Sequence, residues 1–141
     1  MSITFEYSFN APLDLPELVA AVNRALGCSL APSGDDDAFR CEFFGMSLLL
    51  ERHHYDNDRD LNFADYEFQL SNKTWDGSAL RQIQLEVLVL AAFALQETLG
   101  IGDGMLSYDM QRLLARYSGK ISDPAGHIAD LQRRLDKTDL D

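Results

Sequence analysis

Positive charge is what this chain has least of: 12 Lys and Arg stand against 23 Asp and Glu, a formal net charge of −11 over 141 residues. A field of that sign repels phosphate backbones and anionic lipid, so nucleic-acid and membrane-surface binding are set aside first. A basic protein or a cation becomes the expected partner. Cysteine is nearly as scarce. Cys28 and Cys41 are too few for a disulfide framework and are not spaced as metal ligands. Reduced core thiols of a cytoplasmic protein are expected, with a pair facing each other across a hairpin as the alternative. Long apolar runs are missing as well. Residues 87–95 carry no polar side chain, yet they reach only about half of the roughly 20 residues that cross a bilayer. Residues 1–9 alternate without a basic start, so no signal peptide is expected. Repeats and low-complexity tracts are absent, which leaves one globular α+β domain over residues 1–141 as the reading of the length.

What is present is organised around residues 79–99. A helix this apolar in its middle is expected to be wrapped by the rest of the chain, with Asp76 as its N-cap, Trp75 closing over Leu80 as a staple, and Gly100 ending it. Ile3, Phe5, Tyr7 and Phe9 alternate with polar residues, the period of a half-buried strand. Asp14 and Glu17 form a capping box ahead of Leu15, Leu18, Val19, Val22 and Leu26, an apolar stripe that stops at Gly27. Residues 28–31 read as a brief strand, 32–37 as an acidic turn, and 39–44 and 46–52 as strands meeting at Gly45, where a hairpin and a bulge are both open. A loop at 56–62 leads into a one-faced strand over 65–70, and 105–110 returns to the sheet. Residues 111–117 suit either a strand or a helical turn. Pro124 opens a short last helix with a thin stripe of Ile128, Leu131 and Leu135, followed by a frayed tail at 137–141. The sum is an α+β fold: a predominantly antiparallel sheet of about five strands on a buried central helix, with one N-terminal and one short C-terminal helix.

The acids are unevenly placed. Residues 1–70 hold 13 acids and 4 bases, a net of −9, whereas residues 71–141 hold 10 acids and 8 bases, a net of −2. Two strips stand out, Asp35, Asp36 and Asp37, and Asp56, Asp58 and Asp60. Within the second, Asp56, Asp58, Asp60 and Glu67 occupy positions 1, 3, 5 and 12 of a register that resembles an EF-hand calcium loop. Leu61 stands where that family has glycine and both flanks read as strands, so a solvated acidic hairpin loop is the competing and preferred reading. His53 and His54 point to opposite faces of a strand and His127 lies on a distant helix, so a shared transition metal is not expected. Gly100, Gly102 and Gly104 close a helix instead of opening one, the wrong order for a phosphate loop. Ser71 and Ser78 lack a nucleophile-elbow context, and no Asp or Glu pair for acid-base work stands out of the solvated runs, although Asp65 and Glu67, on the polar face they share with Gln69, could line a cleft. No catalytic residue and no cofactor are assigned.

Tyr55 and Phe63 flank the second strip as aromatic anchors ringed by charge, the composition of a protein-binding surface. In layout and charge the chain resembles the small acidic immunity proteins that neutralise bacterial toxins. That resemblance implies a non-enzymatic module whose acidic loops, with Tyr55 and Phe63, occupy the basic surface of a partner. The alternatives are a small-molecule or calcium-binding domain, with or without enzymatic activity, and an oligomer formed through the last helix.

Overall fold

The computed structural model describes residues 2–75 and 80–139, with side chains as far as Asp136. Among them are seven strands, β1 (Ile3–Phe9), β2 (Ala31–Pro32), β3 (Ala38–Phe43), β4 (Met46–Arg52), β5 (Phe68–Thr74), β6 (Asp103–Tyr108) and β7 (Arg112–Ser118), and three helices, α1 (Leu15–Leu26), α2 (Arg81–Leu99) and α3 (Pro124–Asp139). The strands form one antiparallel sheet in the order β2-β3-β4-β5-β1-β6-β7. The sheet is thus larger than the expected five or so strands: the brief strand expected over 28–31 lies instead at Ala31–Pro32 as β2, and β7 resolves the open segment 111–117 as a strand.

β1 lies between β5 and β6 and sorts the molecule by its alternation. Phe5, Tyr7 and Phe9 turn inward beside Leu70, Phe68 and Leu106, against Leu85, Leu88, Val89, Ala92 and Leu95 of α2, and all are buried. The other side of β1 carries Thr4, Glu6 and Ser8. α1 and α3 flank α2 on the same side of the sheet, so the three helices cover a single face.

Local chemistry sets the boundaries. The Asp14 carboxylate accepts from the Glu17 amide at 2.9 Å, and Gly27 (φ 65°) ends α1 in the left-handed conformation. Gly100 (φ 67°) ends α2 in the same way, its amide donating to the Gln96 carbonyl at 3.1 Å. At the β3–β4 connection Phe44 (φ 48°) and Gly45 (φ 74°) are both left-handed and Phe43 pairs with Met46. This is a two-residue hairpin turn, not a bulge, so the expected strand over 39–44 runs one residue too far.

Two expectations about the helices are corrected. α2 is not enclosed on every side: Leu90 is 49% and Ile83 45% exposed, because the sheet, α1 and α3 occupy only part of its circumference. It is the one described helix long and apolar enough to cross a membrane, and its apolar inner side is spent on the sheet. α3, expected to be short, runs over 16 residues, and Ile128, Leu131 and Leu135 belong to the main core. The Asp76 cap, Ser78 and the helix start at residue 79 lie outside the described residues, as do residues 140–141 of the tail. Trp75, expected over Leu80, is two-thirds exposed and carries the Lys73 ammonium 4.0 Å from its ring centroid.

Polar side chains tie α2 to its neighbours where apolar contact stops. The buried Gln84 amide donates to the carbonyls of Ile3 (3.0 Å) and Asn72 (3.2 Å), and Gln96 accepts from the Ile121 amide at 2.7 Å. Within the sheet Gly104 is closely packed: an added Cβ would lie 2.7 Å from Tyr7 Cε1 and 3.2 Å from the Ser8 carbonyl. Gly104→Ala is therefore expected to cost about 1–3 kcal/mol in urea unfolding, and Gly102→Ala, with nothing within 4 Å, less than about 0.5 kcal/mol. Equal losses at the two positions would contradict this packing.

Candidate functional site

The face of the sheet that carries no helix is polar, and it is covered over only half its width. The chain between β4 and β5 folds back over the β1–β6–β7 half, seating Leu61 and Phe63 on Met105 with Tyr66, Met110 and Leu113 around them. Guanidinium groups pin this segment from the far edge. Arg116 of β7 donates to the Asp60 carbonyl and the Asn62 side chain, and Arg59 donates to the Gln111 carbonyl at 3.2 Å. The β2–β5 half stays open as a shallow groove of about 320 Å³ whose lining includes Asp35, Arg40, Glu51, Ser71, Lys73 and Trp75.

Beneath the covered half lies Glu6, 1% exposed. One carboxyl oxygen accepts from the Ser107 hydroxyl at 2.8 Å and from the Met110 amide at 2.9 Å, while the other has no hydrogen-bond partner among the described residues. Loss of hydration raises its pKa to about 8, and Asp109 adds to the rise. The carboxyl is therefore protonated at neutral pH. It also fixes the β6–β7 connection, where Asp109 (φ 55°) and Met110 (φ 57°) are both left-handed, a costly conformation for side chains of this kind. Ser8 accepts from Gln69 at 3.3 Å on the same face.

At the border between the covered and open halves stands Tyr55. Its hydroxyl donates to Glu51 at 2.7 Å, its ring stacks on His53 with centroids 4.9 Å apart, and its amide donates to His53 Nδ1 at 3.1 Å. Burial lowers the pKa of His53, with His54 adding to the effect, and His53 Nε2 is buried without a partner among the described residues. The pKa of Glu51 is raised by burial, opposed by the Tyr55 hydrogen bond and aided by the neighbouring Asp35 charge.

This arrangement brings some of the expected site residues together and separates others. Asp35 reaches the Glu51–Tyr55 pair from the β2–β3 turn, and that turn is fixed to the end of β4 by the Arg52 amide on the Asp37 carbonyl at 3.0 Å. Asp36, Asp56, Asp58 and Asp60 are exposed in the connections that follow β2 and β4. Phe63, expected as a partner anchor, is 2% exposed and supports the segment from below, whereas Tyr55 presents its ring outward and Trp75, two-thirds exposed, lines the open groove. The calcium donor set is corrected too. Glu67 is drawn to Arg52 at 3.3 Å, Asp58 to Arg59 at 3.5 Å, and among the described residues no three His, Cys, Asp or Glu side chains gather as metal ligands. His54 is exposed away from His53, and His127 bonds the Tyr117 hydroxyl at 2.9 Å.

Glu6 escaped the sequence reading because its strand alternates like any half-exposed one. The available signal was that it is the only charge among the polar residues of β1, between Thr4 and Ser8. An apolar cleft of about 790 Å³ does lie on the helix side, between the end of α1, β3 and α2; the sequence reading did not identify its walls, which include Cys28, Cys41, Phe43, Leu48, Val87 and Leu90. No protein-family model, curated protein or solved structure matches the chain.

Because folding raises the pKa of Glu6 above its ordinary value of 4.5, its contribution to stability is complete below about pH 4.5 and is lost as pH rises towards 8. The total loss is on the order of 5 kcal/mol, at about 1.4 kcal/mol per pH unit. Glu6→Gln keeps a neutral side chain of the same shape, so relative to wild type it is expected to gain stability steadily from about pH 5 to pH 8 in denaturant titrations. Parallel pH profiles for the two proteins would show that the carboxyl ionises freely.

Proposed function

We propose that this chain is a non-enzymatic protein-binding module that presents its acidic outer face to a basic partner, in the manner of the small acidic immunity proteins that its layout and charge resemble. One observation carries the reading: two acidic turns more than a dozen residues apart in sequence converge on Glu51 and Tyr55, with Asp35 on one side and Asp56 following Tyr55 on the other. Tyr55 is the anchor, an aromatic ring 41% exposed whose hydroxyl is already oriented. The surrounding carboxylates steer a positively charged partner during encounter and bar acidic competitors. Glu6, whose carboxyl accepts from the Ser107 hydroxyl, is sealed from solvent beneath this face and out of reach of a substrate.

A second reading, a small-molecule-binding domain, is favoured by one feature only, the apolar cleft at the end of α1, which is of ligand size.

The test is capture of a partner from native extract on the immobilised chain, followed by association kinetics. The expected partner is basic, its association slows steeply with added salt, and Asp35→Asn combined with Asp36→Asn and Asp56→Asn lowers the association rate by roughly tenfold. Tyr55→Ala instead speeds dissociation. An acidic partner, or rates indifferent to salt and to these substitutions, would refute the proposal.

A further inference from the structure

Cys28 and Cys41 are the only cysteines in the chain. One follows α1 and the other lies in β3, and both line the apolar cleft as free, half-buried thiols. Their placement is held from several directions. After Gly27 the Cys28 amide donates to the Asn23 carbonyl at 3.2 Å. The Asn23 side-chain oxygen accepts from the Leu30 amide at 2.8 Å and from the Cys28 thiol at 3.4 Å. Ala31 then pairs with Arg40, so the segment leading out of α1 runs alongside β3 and carries Cys28 back towards Cys41. Cys41 faces the helices together with Phe39 and Phe43. The two thiols sense each other: burial first, then the Cys41 thiol, hold the pKa of Cys28 above its ordinary value.

We propose that Cys28 and Cys41 form a modification site, closing to a reversible intramolecular disulfide by exchange with a small-molecule disulfide. The thiolate of one cysteine attacks the small disulfide, making a mixed disulfide and expelling one small thiolate. The second cysteine gives its proton to solvent and attacks the protein-bound sulfur, and the second small thiolate leaves. The protein loses two hydrogens and two electrons, and the reagent is reduced to two thiols. The bond ties the end of α1 to β3 and remodels the wall of the cleft. Such a link constrains the unfolded chain as well, so the oxidised protein is the more stable form. This inference stands apart from the acidic face and does not depend on its function.

The experiment is incubation of the folded protein with oxidised glutathione, read by intact mass, non-reducing electrophoresis and peptide mapping. The expected product is a monomer lighter by two hydrogens, with Cys28 joined to Cys41, reverting with dithiothreitol and unfolding at higher urea than the reduced protein. Cys28→Ser and Cys41→Ser are each expected to stop at a single glutathione adduct, with no gain in urea midpoint. Stable glutathione adducts on both cysteines of the wild type, disulfide-linked dimers, or reaction only after unfolding would each overturn the proposal.

Discussion

The constraint on which the rest depends is that three helices cover one face of a seven-stranded sheet and none covers the other. β1 enforces it. With Phe5, Tyr7 and Phe9 committed to α2 and its neighbours, the alternate positions Glu6 and Ser8 have no choice of side, and whatever covers them must come from a loop. Inward, the structure spends its large side chains on a dry core in which Phe5, Tyr7, Phe9, Phe68, Leu88 and Leu95 are fully buried. Outward, it spends polar contacts instead.

The two halves of the outer face follow from that division. Over β1, β6 and β7 the segment carrying Leu61 and Phe63 excludes water, which makes an unpaired carboxylate untenable, so Glu6 holds a proton and lends one oxygen to the strained β6–β7 turn. Over β2 to β5 there is no such cover, and charged side chains stay hydrated in a groove. Tyr55 sits on the seam, with His53 beneath its ring and Glu51 at its hydroxyl. At the seam the Tyr55 ring is held from two sides with acids close by, which is why the proposed binding mode centres on it.

Much of the fold was legible because its signals are local. The Asp14–Glu17 box, the terminal glycines of α1 and α2 and the alternation of β1 each depend on residues within a few positions of one another. What was illegible depends on distant chain. β7 alternates weakly because it is an edge strand with Arg112 and Arg116 reaching back over neighbouring segments, so neither period stands out. Leu90 looks like core by composition and is half exposed, since only the positions of α1 and α3 decide which side of α2 is left open. Within the candidate site, Tyr55 and Asp35 were identifiable as an aromatic and an acid in polar surroundings. Their meeting at Glu51, the inward turn of Phe63 and the burial of Glu6 all required the path of the segment between β4 and β5. That Cys28 and Cys41 line one cleft required the chain after α1 to return along β3.

The account is tested most directly by mapping backbone amide chemical shifts of the labelled chain on addition of its captured basic partner. The face bearing Asp35, Glu51 and Tyr55 is predicted to move, with Ser33, Arg40 and Ser71 of the adjoining groove, while the outward residues of α2 stay in place. Perturbations confined to Ile83, Val87 and Leu90 and to the cleft beside them would contradict it, since recognition would then belong to the helical side of the sheet.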